Sequence, residues 1–260
     1  MTDVPKRREE ILVGGEWPDL VQRIRARTPA RVFVGRAGAA YRSATQLDLR
    51  AAHAAARDAV RDELNLNAAF GVDFVQRWEL CEFRTQARNK NEYLLRPDLG
   101  RQFDDESRER LSKSRGRNCD IQIAIGDGLS VAAVAEQVPH LLPLLFDGVK
   151  ARGWTVGRAF VIRHCRVGIL NEIGELLKPQ VAVLLIGERP GLATASSLSA
   201  YMAFRPTRGQ TDADRNLISN IHGRGVGAEE AAERILELAA RMIKTEKSGC
   251  ALTEDSRRIE

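Results

Sequence analysis

The stretch VAVLLIGERPG, residues 181–191, decides the fold of this chain. Its first six residues are apolar, do not alternate with polar ones, and include three β-branched side chains. A short run of this kind is typical of a strand buried on both faces, the usual condition in a parallel sheet covered by helices. The sequence therefore predicts an α/β protein with this strand inside its sheet.

The loop that ends this strand, residues 187–191, combines two glycines, one proline and two opposite charges. Loops at the carboxyl ends of parallel strands form the usual ligand crevice of open α/β sheets, so the loop is the first candidate for a site. The alternative is a tight turn in which Glu188 and Arg189 pair with each other, because Gly and Pro occur in any turn. The pattern alone does not decide between them.

The composition limits the class of protein. With 43% hydrophobic and 29% charged residues, a chain of 260 residues can form a full core. No apolar run approaches the roughly 18 residues of a membrane span, and the charged amino end has no signal-peptide core. We therefore expect a cytoplasmic protein without a membrane partner.

Charge and cysteine usage exclude two further classes. The 40 basic and 35 acidic residues are mixed along the chain, and only 5% of residues are aromatic, so we expect no nucleic-acid partner. Four cysteines lie far apart and lack the paired spacing of a zinc or redox motif, which predicts reduced thiols without a metal. They are Cys81, Cys119, Cys165 and Cys250.

Residues 1–117 are predicted to form a mostly helical region. Alanine content and apolar spacing predict a long helix from Ser43 to Leu64, with Ser43 as its amino-terminal cap. Shorter helices are predicted over residues 18–27, 73–78 and 104–114, and an extended piece over residues 31–36.

The segment NKNEYLLRPDLGR, residues 89–101, is rich in amide, charged and turn residues. As a site it would offer Arg96, Asp98 and Arg101 as polar contacts. We favour a surface connector, because such segments normally run over the surface.

From residue 118 to residue 260 the pattern becomes strand, loop and helix in repetition. It predicts a parallel β-α-β-α-β unit, with a later strand and a final amphipathic helix. Residues 196–203 fit either a helix or a strand. The predicted strands are 120–125, 159–163, 181–186 and 217–222, and the predicted helices are 129–146, opening with Ser130, 170–177 and 228–244.

Two short motifs carry weaker signals. A glycine-rich turn at Gly126, Asp127 and Gly128 could hold a phosphate on free amides, but its spacing is not that of a nucleotide motif and Asp127 would repel the anion, so a simple turn is favoured. His164 and Cys165 are neighbours, yet adjacent strand residues point to opposite faces and no third group orients them. We expect no catalysis there.

A longer series of motifs occurs in one order between residues 31 and 244: GRAG (35–38), KNEYLLRPDLGR (90–101), DGLS (127–130), RV (166–167), GERPGL (187–192), DR (214–215) and ISNIH (218–222). Together they resemble the small subunit, or light chain, of ethanolamine ammonia-lyase. Several are too long to match by chance.

The resemblance implies a Rossmann-like domain over residues 118–260, after the helical region 1–117. It implies a hetero-oligomeric lyase that binds adenosylcobalamin at the interface with a large barrel subunit, which holds most of the contacts to ethanolamine. The reaction is the radical conversion of ethanolamine to acetaldehyde and ammonia, and this chain is expected to be active only with the large subunit. The resemblance leaves open whether a bacterial microcompartment encloses the cytoplasmic enzyme.

By the same resemblance, the family's cobalamin contacts correspond to Val167, Glu188 and Leu217. Val167 is expected to pack on the corrin or its nucleotide tail, and Glu188 to accept hydrogen bonds from corrin amides. Relatives can have Cys where this chain has Leu217, which keeps a van der Waals contact but not a thiol. No catalytic residue is expected in this chain.

The segment NIHGRG, residues 220–225, nearly matches the Asp-x-His-x-x-Gly motif with which some cobalamin proteins supply a histidine to cobalt. Asn220 is neutral and would support the imidazole less well than a carboxylate. The family keeps the cofactor's own dimethylbenzimidazole on cobalt, so His222 is not expected to be a metal ligand; the alternative is that it replaces that base. For the whole chain, the alternative function is a non-catalytic nucleotide- or corrinoid-binding module that serves a different partner.

Overall fold

The computed structural model describes residues 18–28, 30–114 and 117–252. Three short 3₁₀ turns, Leu99–Arg101, Asp212–Asp214 and Gly249–Ala251, connect longer elements. The helices are α1 (Asp19–Ala26), α2 (Ser43–Ala59), α3 (Leu66–Phe70), α4 (Val72–Arg77), α5 (Lys90–Leu95), α6 (Asp105–Ser112), α7 (Val131–Ala151), α8 (Ile169–Leu177) and α9 (Ala228–Thr245). The strands are β1 (Arg36–Ala37), β2 (Ala40–Tyr41), β3 (Cys81–Arg84), β4 (Ile121–Gly126), β5 (Phe160–Arg163), β6 (Val181–Gly187), β7 (Leu198–Phe204) and β8 (Asn216–Ile221).

Within the described ranges, six strands form one sheet in the order β3-β5-β4-β6-β7-β8. The first four of these run parallel, whereas β7 is antiparallel to β6 and β8 is antiparallel to β7. The predicted β-α-β-α-β unit is confirmed as β4, α7, β5, α8 and β6. The predicted α/β class with a helical amino-terminal region is therefore confirmed.

The run of residues 181–186 is apolar throughout because β6 is covered on both faces. Val181, Val183 and Leu185 pack into the core cluster that contains residues of α7 and α9. Ala182 and Leu184 alternate with them and pack into the cluster built on α8. Every residue of β6 is buried. The molecule is thus a sheet between two helical layers, with β6 near its middle.

Several details differ from the predictions. Ser43 is the first residue of α2, and Arg42 occupies the cap position without a side-chain hydrogen bond, so the predicted Ser43 cap is wrong. Most of the undecided residues 196–203 belong to strand β7, which runs from Leu198 to Phe204. The amino-terminal region also contributes β3, which the composition did not indicate, to the edge of the large sheet. The division of the chain at residue 117 remains a prediction.

The structure also bears on the state of the cysteines and on membrane-spanning helices. The four cysteines are all free, as predicted. Of the helices in the described part of the chain, none is both long and apolar enough to cross a bilayer.

Candidate functional site

The loops at the carboxyl ends of the parallel strands are tied together by one buried carboxylate. Asp127 is fully buried, and its two oxygens accept hydrogen bonds from the backbone amides of His164 and Cys165, each at 2.9 Å. The Lys90 ammonium lies 3.8 Å from the same carboxylate and donates to the Gly128 carbonyl at 3.1 Å. Asp127 therefore joins helix α5 to the loops after β4 and β5.

Two backbone amides of the turn after β4 already donate within the chain and are not available to a phosphate. The Asp127 amide donates to the Ile162 carbonyl at 3.2 Å, and the Leu129 amide donates to the Gly187 carbonyl at 3.1 Å. These contacts support the interpretation of residues 126–128 as a simple turn. They hold the turn after β4 against β5 and against the end of β6.

Gly128 is required at this crossing. Its φ of +57° lies in the left-handed region, and a Cβ there would lie 2.3 Å from the Gly187 carbonyl oxygen. We expect Gly128→Ala to lower the free energy of unfolding in urea by more than the roughly 1–2 kcal/mol that a left-handed residue costs. Gly153→Ala is the matched control, because Gly153 has a φ of +70° with nothing near its missing Cβ. Equal losses in the two variants would contradict the close approach.

The segment 89–101 is only in part a surface connector. Arg96 and Asp98 are exposed and pair with each other at 2.7 Å, as a connector would allow. The prediction is wrong for Tyr93, which is fully buried and donates from its hydroxyl to the Cys165 carbonyl at 3.0 Å. The Arg166 guanidinium lies over the Tyr93 ring, 4.2 Å from its centroid, so α5 forms a wall of the site.

A cavity of about 260 Å³ opens at this edge of the sheet, and we call it the strand-end cavity. Val167, Glu188 and Leu217, the three residues carried over from the family, all line it. They come from three elements: the loop after β5, the loop after β6, and strand β8. The structure therefore brings together residues that lie up to 50 positions apart in the sequence.

Glu188 is held in place by contacts other than the pairing with Arg189 that the sequence left open as an alternative. Its Oε1 atom accepts hydrogen bonds from the Ser199 hydroxyl at 2.5 Å and from the backbone amide of Asn220 at 2.9 Å. Its Oε2 atom has no partner among the described residues, so one carboxylate oxygen is left to accept a hydrogen bond from a ligand. Leu217 keeps 44% of its surface exposed beside it, which adds an apolar contact surface.

Tyr201 also lines the strand-end cavity. Burial raises the pKa of its hydroxyl, and the carboxylates of Asp212 and Glu188 raise the pKa further. The hydroxyl is therefore a neutral hydrogen-bonding group at physiological pH. Sequence reasoning missed this residue, because it comes from the strand whose type the pattern left undecided.

A larger chamber of about 770 Å³, which we call the arginine chamber, adjoins the strand-end cavity. The two share Arg166, Val167, Tyr201 and Leu217 as lining residues. Arg101, which the sequence offered as a possible polar contact, lines the chamber. The two spaces therefore share one wall.

His164 and Cys165 have structural environments. The His164 ring nitrogens lie 2.9 Å from the Ala87 carbonyl and 3.1 Å from a Glu63 carboxylate oxygen. Cys165 is fully buried, and burial, followed by the nearby Asp127 carboxylate, raises the pKa of its thiol well above the ordinary value. Since a nucleophilic cysteine needs a thiolate, this pair supports no covalent catalysis.

The contacts of Glu63 with Arg163 and His164 make the stability of the fold depend on pH. Partial burial raises the pKa of Glu63, but hydrogen bonds from Arg163 and His164 outweigh it and hold the pKa below its ordinary value of 4.5. The pairing therefore stabilises the fold above that value and is lost as the pH falls through the lower, folded pKa. Glu63→Gln should flatten the acid limb of stability measured by urea unfolding, whereas Asp62→Asn, at an exposed neighbour, should leave it unchanged. An acid limb identical to the wild type in Glu63→Gln would contradict the pairing.

Both ring nitrogens of His222 have partners within the chain. Nε2 lies 2.8 Å from the Asn220 side-chain oxygen, and Nδ1 accepts from the Arg224 amide at 3.2 Å. These contacts assign the ring hydrogen to Nε2, because an amide oxygen only accepts. The arrangement supports a hydrogen-bonding role at the end of β8 and not a ligand role.

The fold and these cavities define an α/β protein with a candidate ligand site at the carboxyl edge of its sheet, where an apolar surface lies beside a free carboxylate oxygen. The family model for the ethanolamine ammonia-lyase light chain (EutC) matches residues 18–253. The chain belongs to this family.

Curated relatives agree with the family model over most of the chain. The ethanolamine ammonia-lyase small subunit of Clostridium perfringens is 41% identical over 229 residues, which cover 88% of this chain and 76% of the relative. That of Clostridioides difficile is 38% identical over 252 residues, covering 97% and 84%. That of Listeria monocytogenes is 41% identical over 225 residues, covering 86% and 75%.

Proposed function

We propose that this chain helps bind adenosylcobalamin at the interface with the large barrel subunit of ethanolamine ammonia-lyase. The complex would convert ethanolamine to acetaldehyde and ammonia, with the large subunit holding most of the contacts to ethanolamine. The observation that carries the proposal is the meeting of Val167, Glu188 and Leu217 at the strand-end cavity. Three residues that contact one cofactor must share one surface, and the cavity meets this requirement.

The chemistry of the cavity fits a corrinoid. The corrin ring is a broad apolar surface fringed by amide side chains, which donate hydrogen bonds. Val167 and Leu217 offer apolar contacts, and the free Oε2 of Glu188 accepts from an amide. Two buried arginine nitrogens in the adjoining walls, Nε of Arg166 and Nε of Arg215, also have no hydrogen-bond partner. Buried donors of this kind are normally satisfied, so they mark where a ligand would complete the site.

When bound, the cofactor supplies an adenosyl radical through homolysis of its cobalt–carbon bond. The residues of this chain would orient the ring and exclude water from one side of it. Glu188 is suited to orientation, because Ser199 and Asn220 fix its carboxylate before any ligand arrives. Leu217 would exclude water through van der Waals contact.

The large subunit would cover the open side of the strand-end cavity. Exposed apolar side chains lie near this edge, including Leu192 and Leu217, each with 44% of its surface exposed. Such side chains fit an interface better than a free surface. The enzyme would act in the cytoplasm, with or without an enclosing microcompartment.

The test is reconstitution from purified subunits. This chain and a large subunit from the same family are mixed with adenosylcobalamin and ethanolamine, and the release of acetaldehyde and ammonia is measured, with each subunit alone as control. We expect activity only in the mixture. If the mixture is inactive while this chain alone takes up cobalamin, the chain is a corrinoid-binding module that serves a different partner.

A further inference from the structure

The side chain of His164 joins three segments of the chain next to the candidate site. Its Nδ1 atom lies 2.9 Å from the carbonyl oxygen of Ala87, in the loop after β3. Its Nε2 atom lies 3.2 and 3.1 Å from the two carboxylate oxygens of Glu63, in the loop after α2. Only 6% of His164 is exposed. The ring therefore connects the loops after α2 and β3 to the end of β5.

Both groups that face the ring nitrogens accept hydrogen bonds and cannot donate one. A backbone carbonyl has no hydrogen to give, and an ionised carboxylate only accepts. Glu63 is ionised at neutral pH: partial burial raises its pKa, but hydrogen bonds from Arg163 and His164 outweigh it and hold the pKa below the ordinary value of 4.5. A neutral imidazole carries one N–H and would leave its other nitrogen facing an acceptor. The contacts therefore fit the imidazolium form, in which both nitrogens donate.

The backbone of His164 is fixed together with its ring. Its amide donates to the Asp127 carboxylate at 2.9 Å, and its carbonyl accepts from the buried hydroxyl of Thr85 at 3.0 Å. The φ of His164 is +57°, in the left-handed region, which residues other than glycine adopt only at a cost. These contacts hold a strained turn immediately before the residues that line the site.

A series of side chains leads from His164 into the candidate site. The His164 ring stacks on the Tyr93 ring, with centroids 5.9 Å apart and an angle of 28° between the planes. The Arg166 guanidinium lies 4.2 Å from the Tyr93 centroid and donates to the Tyr93 carbonyl at 3.2 Å. Arg166 and Val167 line both cavities. The position of the His164 ring thus affects the lining of the site through one aromatic neighbour.

We propose that His164 is a positioning residue whose imidazolium, held between Glu63 and Ala87, keeps residues 164–168 in the conformation that lines the strand-end cavity. This inference rests on the proposed function, because the segment carries Val167, one of the expected corrinoid contacts. Loss of the ring proton would replace a charge-assisted hydrogen bond with two acceptors that face each other. The protonated ring holds the segment, so its hold is lost as the pH rises and ligand binding weakens.

The surroundings of the ring identify the group that would titrate. Charged groups near it are Glu63, Asp127, Lys90, Arg163 and Arg166, together with Arg84, Arg88 and Asp104 in a small cavity that His164 also lines. Among these side chains, histidine is the type that ordinarily changes charge between pH 5 and 8. Burial raises the pKa of Tyr93 and of the Cys165 thiol, which keeps both groups neutral in that range.

Nuclear magnetic resonance of the full chain, labelled with nitrogen-15 at histidine, measures the protonation directly. The chain has four histidines, and the signals of His164 are those lost in His164→Asn. Asparagine is chosen because it tolerates the left-handed backbone. We expect both ring nitrogens of His164 to carry hydrogen at about pH 7.5, where an ordinary histidine is mostly neutral. One bare ring nitrogen at this pH would overturn the proposal.

Glu63→Gln tests whether the carboxylate holds the proton. The glutamine amide can donate to Nε2, so the pair survives while the ring becomes neutral. We expect one bare ring nitrogen in this variant at about pH 7.5, where the wild type has none. Two protonated nitrogens in Glu63→Gln would show that Glu63 does not hold the proton and would overturn the proposal.

The pH profile of cofactor binding separates a positioning role from a merely structural one. Dissociation constants of adenosylcobalamin for the purified subunit complex are measured by equilibrium dialysis between about pH 6 and pH 9. We expect wild-type binding to weaken by about tenfold as His164 loses its proton, the effect of one charge-assisted hydrogen bond. His164→Asn should bind more weakly than the wild type at low pH and show no such dependence. Glu63→Gln should also lose the dependence.

The large subunit is the same in every complex, so its own titrations cancel in the comparison. His140→Gln, at an exposed position on α7, is the matched control and should keep the wild-type profile. A wild-type profile that stays flat while the ring loses its proton, or a wild-type slope retained in both His164→Asn and Glu63→Gln, would overturn the proposal.

A complex that binds no adenosylcobalamin at any pH would refute the proposed function separately. Amide hydrogen exchange in the full chain then tests the positioning role alone. Faster exchange of the Cys165 amide in His164→Asn than in the wild type would support it, because that amide donates to Asp127 beside the ring. Equal exchange rates would overturn it.

Discussion

Asp127→Ala is expected to lower the free energy of unfolding by about 3–5 kcal/mol, the cost of removing one partner from a buried ion pair. The carboxylate is fully buried, satisfies two backbone amides at 2.9 Å, and lies 3.8 Å from the Lys90 ammonium, whose side chain is only 7% exposed. Its removal leaves a buried cation and two unpaired donors. The loop that carries Val167 would lose its anchor at the same time.

Urea unfolding of the isolated chain measures this loss. Asp127→Asn should lose less, because the amide keeps one acceptor oxygen. Asp147→Ala, at an exposed position on α7, is the control and should remain within about 0.5 kcal/mol of the wild type. A loss of that same small size in Asp127→Ala would show that the buried carboxylate is not the anchor.

Glu188→Ala is expected to weaken the binding of adenosylcobalamin to the subunit complex by about 10- to 100-fold. The estimate corresponds to about 1.5–3 kcal/mol for hydrogen bonds to a charged acceptor. The carboxylate is already oriented by Ser199 and Asn220, so a ligand amide gains its full strength without an ordering cost. Equilibrium dialysis against adenosylcobalamin gives the constant.

Two controls separate a binding effect from a folding effect. Glu188→Gln keeps one acceptor oxygen without the charge and should weaken binding less than the alanine variant. Glu237→Ala, at an exposed position on α9, should leave binding unchanged. If Glu188→Ala binds the cofactor as tightly as the wild type, the family contact does not apply to this chain.

The central strand and the long helices were predictable from the sequence because each depends on local periodicity. The uninterrupted run at β6 indicated burial on both faces, and the two core clusters confirm it. Helix α9 followed from its amphipathic spacing. Ser130 was predicted to open helix α7, and its hydroxyl accepts from the Ala133 amide as the amino-terminal cap.

Strand β3 could not be predicted in this way. Its sequence, CEFR, is short and half polar, and only one of its four residues is buried. Its strand conformation depends on pairing with β5, which begins 79 positions later in the chain. No local pattern records such a partner.

In the candidate site, too, local features were predictable from the sequence and long-range contacts were not. The loop after β6 was identified from its glycines and charges, but the partners of Glu188 were not, because they depend on the register of β7 and β8. Tyr93 was predicted to lie in a surface connector. This prediction failed because the burial of Tyr93 depends on a contact with Cys165, 72 positions away in the sequence. Resemblance to the family supplied three candidate contact residues, and the fold shows that they share one cavity.

Electron cryomicroscopy of the reconstituted complex with adenosylcobalamin would show directly whether this chain holds the corrinoid. We expect corrin density at the subunit interface in contact with Val167, Glu188 and Leu217, with a carboxylate oxygen of Glu188 accepting from a corrin amide. A corrin bound wholly within the large subunit, touching none of these three residues, would rule out the proposed role of this chain.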